Sequence, residues 1–365
     1  MSAQEKEVKV NLGERSYPIR IGHNILTDGL KGDFGKRLGR EVFLISDKNV
    51  FENHGTDLIE SLSAEGRRTN VYVMPPGEHA KSWEQAGEIL TRMLGCNLER
   101  DSAVIAFGGG VVGDMAGFVA ALYQRGVRFY QLPTTLLAQV DSSIGGKVAV
   151  NHVLGKNMIG TFYQPQEVWA DFKYLDTLPT PEWKSGLAEV IKYAIIRDEK
   201  LFCFIEKQVD SLLRHDRQSW LATIENCCLI KAEIVADDEK DKGSRNILNY
   251  GHTIGHALES ATEYKKYRHG EAVAVGMAAA ARIALELQLL KENTVSRIEN
   301  LFSAFDLPKK IPEKYLEKTL DNLIYDKKIV GGELVFVLPV RIGEVIIKRG
   351  IPTSLIKEIL RTMSE

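Results

Sequence analysis

The chain of 365 residues is 44% hydrophobic and 26% charged, and 47 basic against 49 acidic residues leave a formal net charge of -2. That balance excludes a disordered or fibrous chain and a broad nucleic-acid or membrane footprint, while leaving room for local basic pockets that take anionic small molecules. The length favours two domains over a single core.

In chain order, the start from Met1 to Lys6 is polar and lacks the apolar core of a signal peptide. Val8, Val10 and Leu12, then Tyr17, Ile19 and Ile21, alternate around Gly13-Glu14-Arg15-Ser16, which predicts a β-hairpin. Val42 to Ile45, Val71 to Val73, Ala103 to Phe107 and Phe129 to Leu132 read as buried parallel strands, separated by helical segments such as Trp83 to Met93. This texture predicts an α/β N-terminal domain with a mainly parallel sheet. Leu178-Pro179-Thr180-Pro181 marks the domain boundary, giving 1–178 and 179–365, because two prolines interrupt a regular element.

Beyond it the pattern is mainly α-helical: Ser185 to Ile196, Leu221 to Val235, Leu248 to Ala261 and Glu271 to Leu290. A late hairpin is expected from Leu334 to Leu338 and Val345 to Lys348 around Gly343. The most apolar stretch, Ala272 to Ala281, is far too short to span a bilayer. The four cysteines form no Cys-x-x-Cys pair, so a zinc ribbon or redox motif is disfavoured and a reduced, cytoplasmic compartment is expected. There is no internal repeat.

Gly108-Gly109-Gly110-Val111-Val112-Gly113-Asp114 follows a strand and precedes the helical run Met115 to Tyr123. Glycines there let backbone amides approach a pyrophosphate, and a helix N-terminus favours its charge. The acid expected roughly 20 positions on, at a ribose, is absent from Phe129 to Pro133; Asp47, ending the strand before Lys48-Asn49, is the better candidate. A dinucleotide in an unusual arrangement is the functional reading, and a plain strand–helix turn the structural one.

On a wheel of about 100° per residue, Asn249, His252, His256 and Glu259 share one side of the segment Leu248 to Ala261. Histidines at i and i+4 can approach one metal, but the glutamate of the H-E-x-x-H protease motif is missing. His269 adds a third imidazole. Glu189 and Lys192 lie opposite the apolar stripe Leu187, Val190, Ile191 and Ala194 of Ser185 to Ile196; such a pair is ordinarily a solvated ion pair, but Tyr193 and Ile196 on the same side weaken that reading. Two imidazoles and a carboxylate would make an open zinc-type site, able to polarise a hydroxyl.

The glycine loop, Gln139-Val140-Asp141-Ser142-Ser143-Ile144-Gly145-Gly146-Lys147, Gly155-Lys156-Asn157, Gly186-Leu187-Ala188-Glu189-Val190-Ile191-Lys192, Asn249-Tyr250-Gly251-His252-Thr253-Ile254-Gly255-His256 and His269-Gly270-Glu271 together resemble 3-dehydroquinate synthase. They stand in that family's order and span nearly the whole chain. The resemblance implies a dehydroquinate synthase-like fold with its site in the cleft between the domains. It also implies that Glu189, His252 and His269 bind zinc or cobalt, with His256 a nearby polar or proton-handling group, where spacing alone offers His252 with His256.

It further implies that NAD meets Asp47, Asn49, Glu78, Lys81, Gly110, Val111, Val112, Gly113, Asp114, Thr134, Thr135, Asp141, Ser142, Lys147, Lys156, Thr177 and Glu182. Substrate falls to Asp141, Lys147, Asn157, Lys192, Lys231, Arg245, Asn249 and Lys328, and Arg125 reaches a phosphate across a homodimer interface. For each lysine or arginine taken alone, a solvated surface side chain is the default.

The reaction implied converts 3-deoxy-arabino-heptulosonate 7-phosphate to 3-dehydroquinate and phosphate. Oxidising one alcohol acidifies the neighbouring carbon, phosphate leaves by β-elimination, the hydride returns, and the opened sugar closes as an intramolecular aldol. Other sugar phosphate cyclases and iron-type alcohol or glycerol dehydrogenases are the rivals; the Asp141 to Lys147 block and Lys156-Asn157 favour the synthase. A catalytically dead nucleotide-binding scaffold is the reading from another class, and the retained metal set argues against it. The partner expected is a small sugar phosphate, with no nucleic acid and no membrane.

Overall fold

The computed structural model describes residues 5–329 and 334–365, with side chains for 5–323 and 334–365. The chain divides into two compact units, Met1–Pro179 with Lys231–Lys240, and Thr180–Ile230 with Asp241–Glu365. The segment Lys231–Lys240, which the sequence assigned to the second domain, therefore belongs to the first unit.

The first unit carries strands β1 (Lys6–Val10), β2 (Tyr17–Gly22), β3 (Glu41–Asp47), β4 (Arg68–Met74), β5 (Ala103–Gly108), β6 (Arg128–Pro133), β7 (Lys147–His152), β8 (Gly155–Phe162) and β9 (Glu167–Asp171). Among the described residues, seven of them form one sheet in the order β1-β2-β9-β6-β5-β3-β4. β1 and β2 make the expected antiparallel hairpin, and every other pairing in this sheet is parallel.

Side chains alternate between the faces as the pleat requires. Phe43, Ile45, Val104, Ala106 and Phe129 pack on one side with Ala86, Ile89 and Met93 of the helix Trp83–Gly95 and with the helix Gly110–Leu122. Val42, Leu44, Ile105, Phe107 and Tyr130 pack on the other with Leu26, Leu30, Phe34, Leu58 and Leu62. The result is helix on both faces of a sheet. β4 differs from the buried strand expected at Val71 to Val73: it is the sheet edge, and Val73 is exposed.

Two features escaped the sequence reading. β9 inserts between β2 and β6 although it has only five residues with an acid at each end. Those acids are satisfied: Glu167 pairs with Arg37 and accepts from Trp169 Nε1, and Asp171 accepts from the amides of Asn24, Leu26 and Lys173. β7 and β8 form a separate antiparallel ribbon, packed against the helix Gly110–Leu122 through Val148 over Gly117.

The second unit is mainly helical, with a small sheet of β10 (Val335–Arg341) and β11 (Glu344–Arg349), the late hairpin foreseen. The prolines read as a break instead open a helix, Thr180–Arg197, with Pro181 in its first turn, where the missing amide proton costs nothing. The segment read as one helix from Leu248 to Ala261 is two: a 3-10 turn, Ser244–Asn249, and the helix His252–Ala261. Gly251, at φ 81°, makes the break, so Asn249 does not share a helical face with His252. No helix of the described residues is long and apolar enough to cross a membrane.

Candidate functional site

In the second unit three elements bring ligand-type atoms together. Helix Thr180–Arg197 is buried nearly all round and carries Glu189; helix His252–Ala261 starts with His252, and helix His269–Glu286 starts with His269. Their approach depends on glycine. A Cβ on Gly270 would lie 2.0 Å from the carbonyl oxygen of Ser185, and the Gly270 amide donates to Ser185 Oγ at 3.0 Å, seating His269 beside the glutamate helix. A Cβ on Gly251 would meet Met277 Cγ at 2.5 Å.

Glu189, His252 and His269 each offer one donor atom, all within 4.8 Å of one another. His252 Nε2 and His269 Nε2 lie 3.9 and 3.8 Å from Glu189 Oε1. Glu189 is fully buried, and neither of its oxygens accepts a hydrogen bond; its charge is faced by the equally buried Lys192 ammonium. This is not the solvated pair that the sequence made the default. Carboxylate and imidazole are the donor types of an open zinc site, and Glu189 Oε1, buried without a hydrogen bond beside both imidazoles, suits a cation, so the residues fit a divalent metal.

The imidazoles differ. Burial, then the Lys192 charge and the neighbouring rings, push His252 well below the ordinary histidine value. Burial also pulls His269 down, but the hydrogen bond and charge of Glu259, with the Glu189 charge, outweigh it and hold His269 above that value. The pair suggested by spacing, His252 and His256, is also close, with ring centroids 5.2 Å apart, but His256 is exposed. It groups instead with Glu259 and His269. Arg245 is buried on the 3-10 turn, whereas Asn249 is exposed and bonds Asn246.

In the first unit the sequence residues gather where the strand order turns. β4 lies on one side of β3 and β5 on the other, and ligands of such sheets bind outside the strand carboxyl ends at that switch. Asp47 ends β3 and accepts from the Asn49 and Val50 amides; burial raises its carboxyl despite those bonds. Gly108 ends β5 and Gly109 caps the helix Gly110–Leu122, so Gly110, Val111, Val112 and Gly113 are its first turn rather than a loop before it.

A Cβ on Gly110 would come within 2.9 Å of Ser142 Oγ. Ser142 Oγ and Thr134 Oγ1 are buried hydroxyls without a hydrogen-bond partner. Bare glycine amides at a helix start beside two unsatisfied hydroxyls fit a phosphate-bearing nucleotide. Thr135 accepts from the Ala138 amide.

Charged residues complete the cradle. Lys81 is buried and pairs with Asp114 while donating to Asn157 Oδ1; burial pushes the Asp114 carboxyl up against the Lys81 pull. Lys156 Nζ lies 3.9 Å from Glu78. Lys231, from the returning segment, pairs with Asp141 and donates to its carbonyl. Lys147 is exposed at the start of β7.

Other candidates stand elsewhere. Thr177 bonds His54 Nε2 at 2.7 Å, Glu182 belongs to the second unit and pairs with Arg268, and Arg125 is exposed in a left-handed turn at φ 69°. The side chain of Lys328 lies outside the described residues.

Asn151 went unnoticed in the sequence. Its Oδ1 accepts from the Asn157 amide at 3.0 Å and its Nδ2 donates to Glu78 Oε1 at 2.8 Å, fixing Asn157 at φ 58°. No periodicity or motif marks it, because its partners come from a ribbon the sequence did not reveal.

Residues 71–185 match the family described as 3-dehydroquinate synthase N-terminal, and residues 186–329 that described as 3-dehydroquinate synthase C-terminal. A 3-dehydroquinate synthase of Desulforamulus reducens is 49% identical over 360 residues, covering 98% of this chain and 99% of that one. A 2-epi-5-epi-valiolone synthase from Streptomyces hygroscopicus, solved with NAD+ and Zn2+ bound, matches with a TM-score of 0.89 at 26% identity, covering 97% of this chain and 98% of that one. A 2-deoxy-scyllo-inosose synthase complexed with carbaglucose-6-phosphate, NAD+ and Co2+ gives 0.85 at 26% identity, covering 98% and 100%.

Proposed function

The chain belongs to the 3-dehydroquinate synthase family, and from that premise we propose that it converts 3-deoxy-arabino-heptulosonate 7-phosphate to 3-dehydroquinate and phosphate. It is a carbon–oxygen lyase of aromatic amino acid biosynthesis, using NAD and one divalent metal, zinc or cobalt. The observation that carries the reading is the convergence of Glu189, His252 and His269, from three helices, on one point.

When bound, the nicotinamide supplies a hydride acceptor that is regenerated in each turnover, and the metal supplies Lewis-acid polarisation of the reacting hydroxyl. Glu189, His252 and His269 would hold the metal. Asp47, Asn49, Glu78, Lys81, the Gly110 to Asp114 turn, Thr134, Thr135, Asp141, Ser142, Lys156, Thr177 and Glu182 would hold NAD. The buried, unsatisfied hydroxyls of Thr134 and Ser142 support this set.

Lys147, Asn157, Lys192, Lys231, Arg245, Asn249 and Lys328 would anchor the substrate's phosphate and carboxylate, so that elimination and aldol closure start from one pose. Asp141 and Glu189 fix the positions of the Lys231 and Lys192 ammonium groups. His256, exposed beside the metal set, is suited to moving a proton at a substrate oxygen. The family resemblance supports a cytoplasmic homodimer, in which Arg125 would reach the partner's substrate phosphate.

The test is incubation with the heptulosonate phosphate, substoichiometric NAD and zinc, measuring phosphate, ring product and reduced nicotinamide together. Equal phosphate and 3-dehydroquinate with no net reduced nicotinamide support the reading. Reduced nicotinamide accumulating without phosphate release would assign an alcohol dehydrogenase instead.

A further inference from the structure

We propose that Glu259 is a positioning residue for the metal centre: its carboxylate accepts a hydrogen bond from Nδ1–H of His269 and thereby fixes the ring with Nε2 turned to the metal position. The proposal rests on the metal reading above and deepens it.

An imidazole ligates through one nitrogen only when the other carries the proton, so whatever holds that proton sets both tautomer and ring angle. Each histidine of the set shows such a holder. His252 Nδ1 lies 3.2 Å from the carbonyl oxygen of Tyr250, which can only accept; its Nε2 therefore faces Glu189 Oε1. His269 Nδ1 lies 3.5 Å from Glu259 Oε1, with its Nε2 on the opposite side of the ring 3.8 Å from Glu189 Oε1. The two rings are thus addressed in the same sense by different means, one by a backbone carbonyl and one by a side chain.

Glu259 is buried, and a carboxylate is kept from water only where it has a donor or a cation to face. It stands on the same helix as His252 and His256, seven positions after the first, so that helix supplies one ligand and also the group that steers another. His269 opens its own helix and is partly buried. A negative partner also makes the imidazole a stronger donor to a cation, which a carbonyl does less well.

The experiment titrates zinc alone against a chelator for wild type, Glu259→Gln and Glu259→Ala, with visible spectra of the cobalt-loaded proteins. The expected result is an affinity loss of roughly 10- to 100-fold for Glu259→Ala, with a changed cobalt spectrum. Glu259→Gln, which can still accept from Nδ1–H but without charge, is expected in between. Metal-free thermal unfolding of each variant gives the folded fraction used to normalise the affinities.

Wild-type affinity and an unchanged cobalt spectrum in Glu259→Ala would overturn the proposal while leaving the metal reading intact. Wild type failing to bind zinc or cobalt would overturn the metal reading itself. Two equivalents per wild-type chain, falling to one in Glu259→Ala, would show Glu259 ligating a second ion with His256 and His269, and would also overturn it. If Glu259→Ala does not fold, wild-type affinity together with a wild-type cobalt spectrum in Glu259→Gln decides against the role.

Discussion

The Lys192 ammonium lies against the Glu189 carboxylate one helical turn away, and neither side chain reaches solvent. A lysine in that place neutralises a buried carboxylate before any metal arrives. Removing one partner of such a pair leaves a lone buried charge, which costs about 3–5 kcal/mol. Lys192→Met is therefore expected to destabilise the metal-free protein by about that amount, and by distinctly less once zinc is added. Urea unfolding with and without zinc measures both; an equal loss in the two states would contradict the shared-charge account.

His269→Ala and His252→Ala each remove one donor from the three that converge. Both variants are expected to be purified without their equivalent of zinc, to lack turnover, and to keep a wild-type far-ultraviolet circular dichroism spectrum. Elemental analysis after desalting provides the check. Full activity in chelated, desalted wild type would show that the metal is not needed.

Lys147 is exposed at the start of β7. A hydrogen bond to a charged group contributes about 1.5–3 kcal/mol, so Lys147→Ala should lower kcat/KM for the sugar phosphate roughly 10- to 100-fold. NAD affinity, from fluorescence titration, should change far less. Equal losses in both would place Lys147 at the cofactor instead.

Arg15 grips Glu239 through two hydrogen bonds, of 2.6 and 3.2 Å, and Gln164 adds a third. The Arg15 hydrogen bond comes first among the causes that hold the Glu239 carboxyl below the usual glutamate range. A lowered folded-state pKa means stability that is present above the unfolded value and lost as pH falls through the folded one. Wild type should thus exceed Glu239→Gln in Tm above the usual glutamate range, and the gap should close as pH falls below that range. A gap independent of pH would assign the effect to packing.

Much of this was legible before any coordinates. Apolar runs gave β3, β5 and β6, because strands buried on both faces need no alternation. The proposed metal set of Glu189, His252 and His269 was legible only through ordered motifs, since periodicity pointed to His252 with His256. What brings His269 beside the helix of Glu189 is Gly270, which admits the Ser185 carbonyl where any side chain would clash, and no wheel projection shows a contact between two helices. β9 stayed hidden because its stabilising partners, Arg37 and the amides of Asn24 and Leu26, lie more than a hundred residues away in sequence. The burial of Glu189 with Lys192 was only hinted at, by Tyr193 and Ile196 on the same side, because an i,i+3 pair by itself reads the same on a solvated helix as on an enclosed one.

The chain passes from one unit to the other after Pro179, again after Ile230 and once more after Lys240. Neither unit is consequently a continuous stretch of gene. A truncation at the proline pair would deprive the first unit of Lys231, and so remove its ion pair with Asp141. A single cut anywhere in the gene therefore separates at least one unit from part of its own chain.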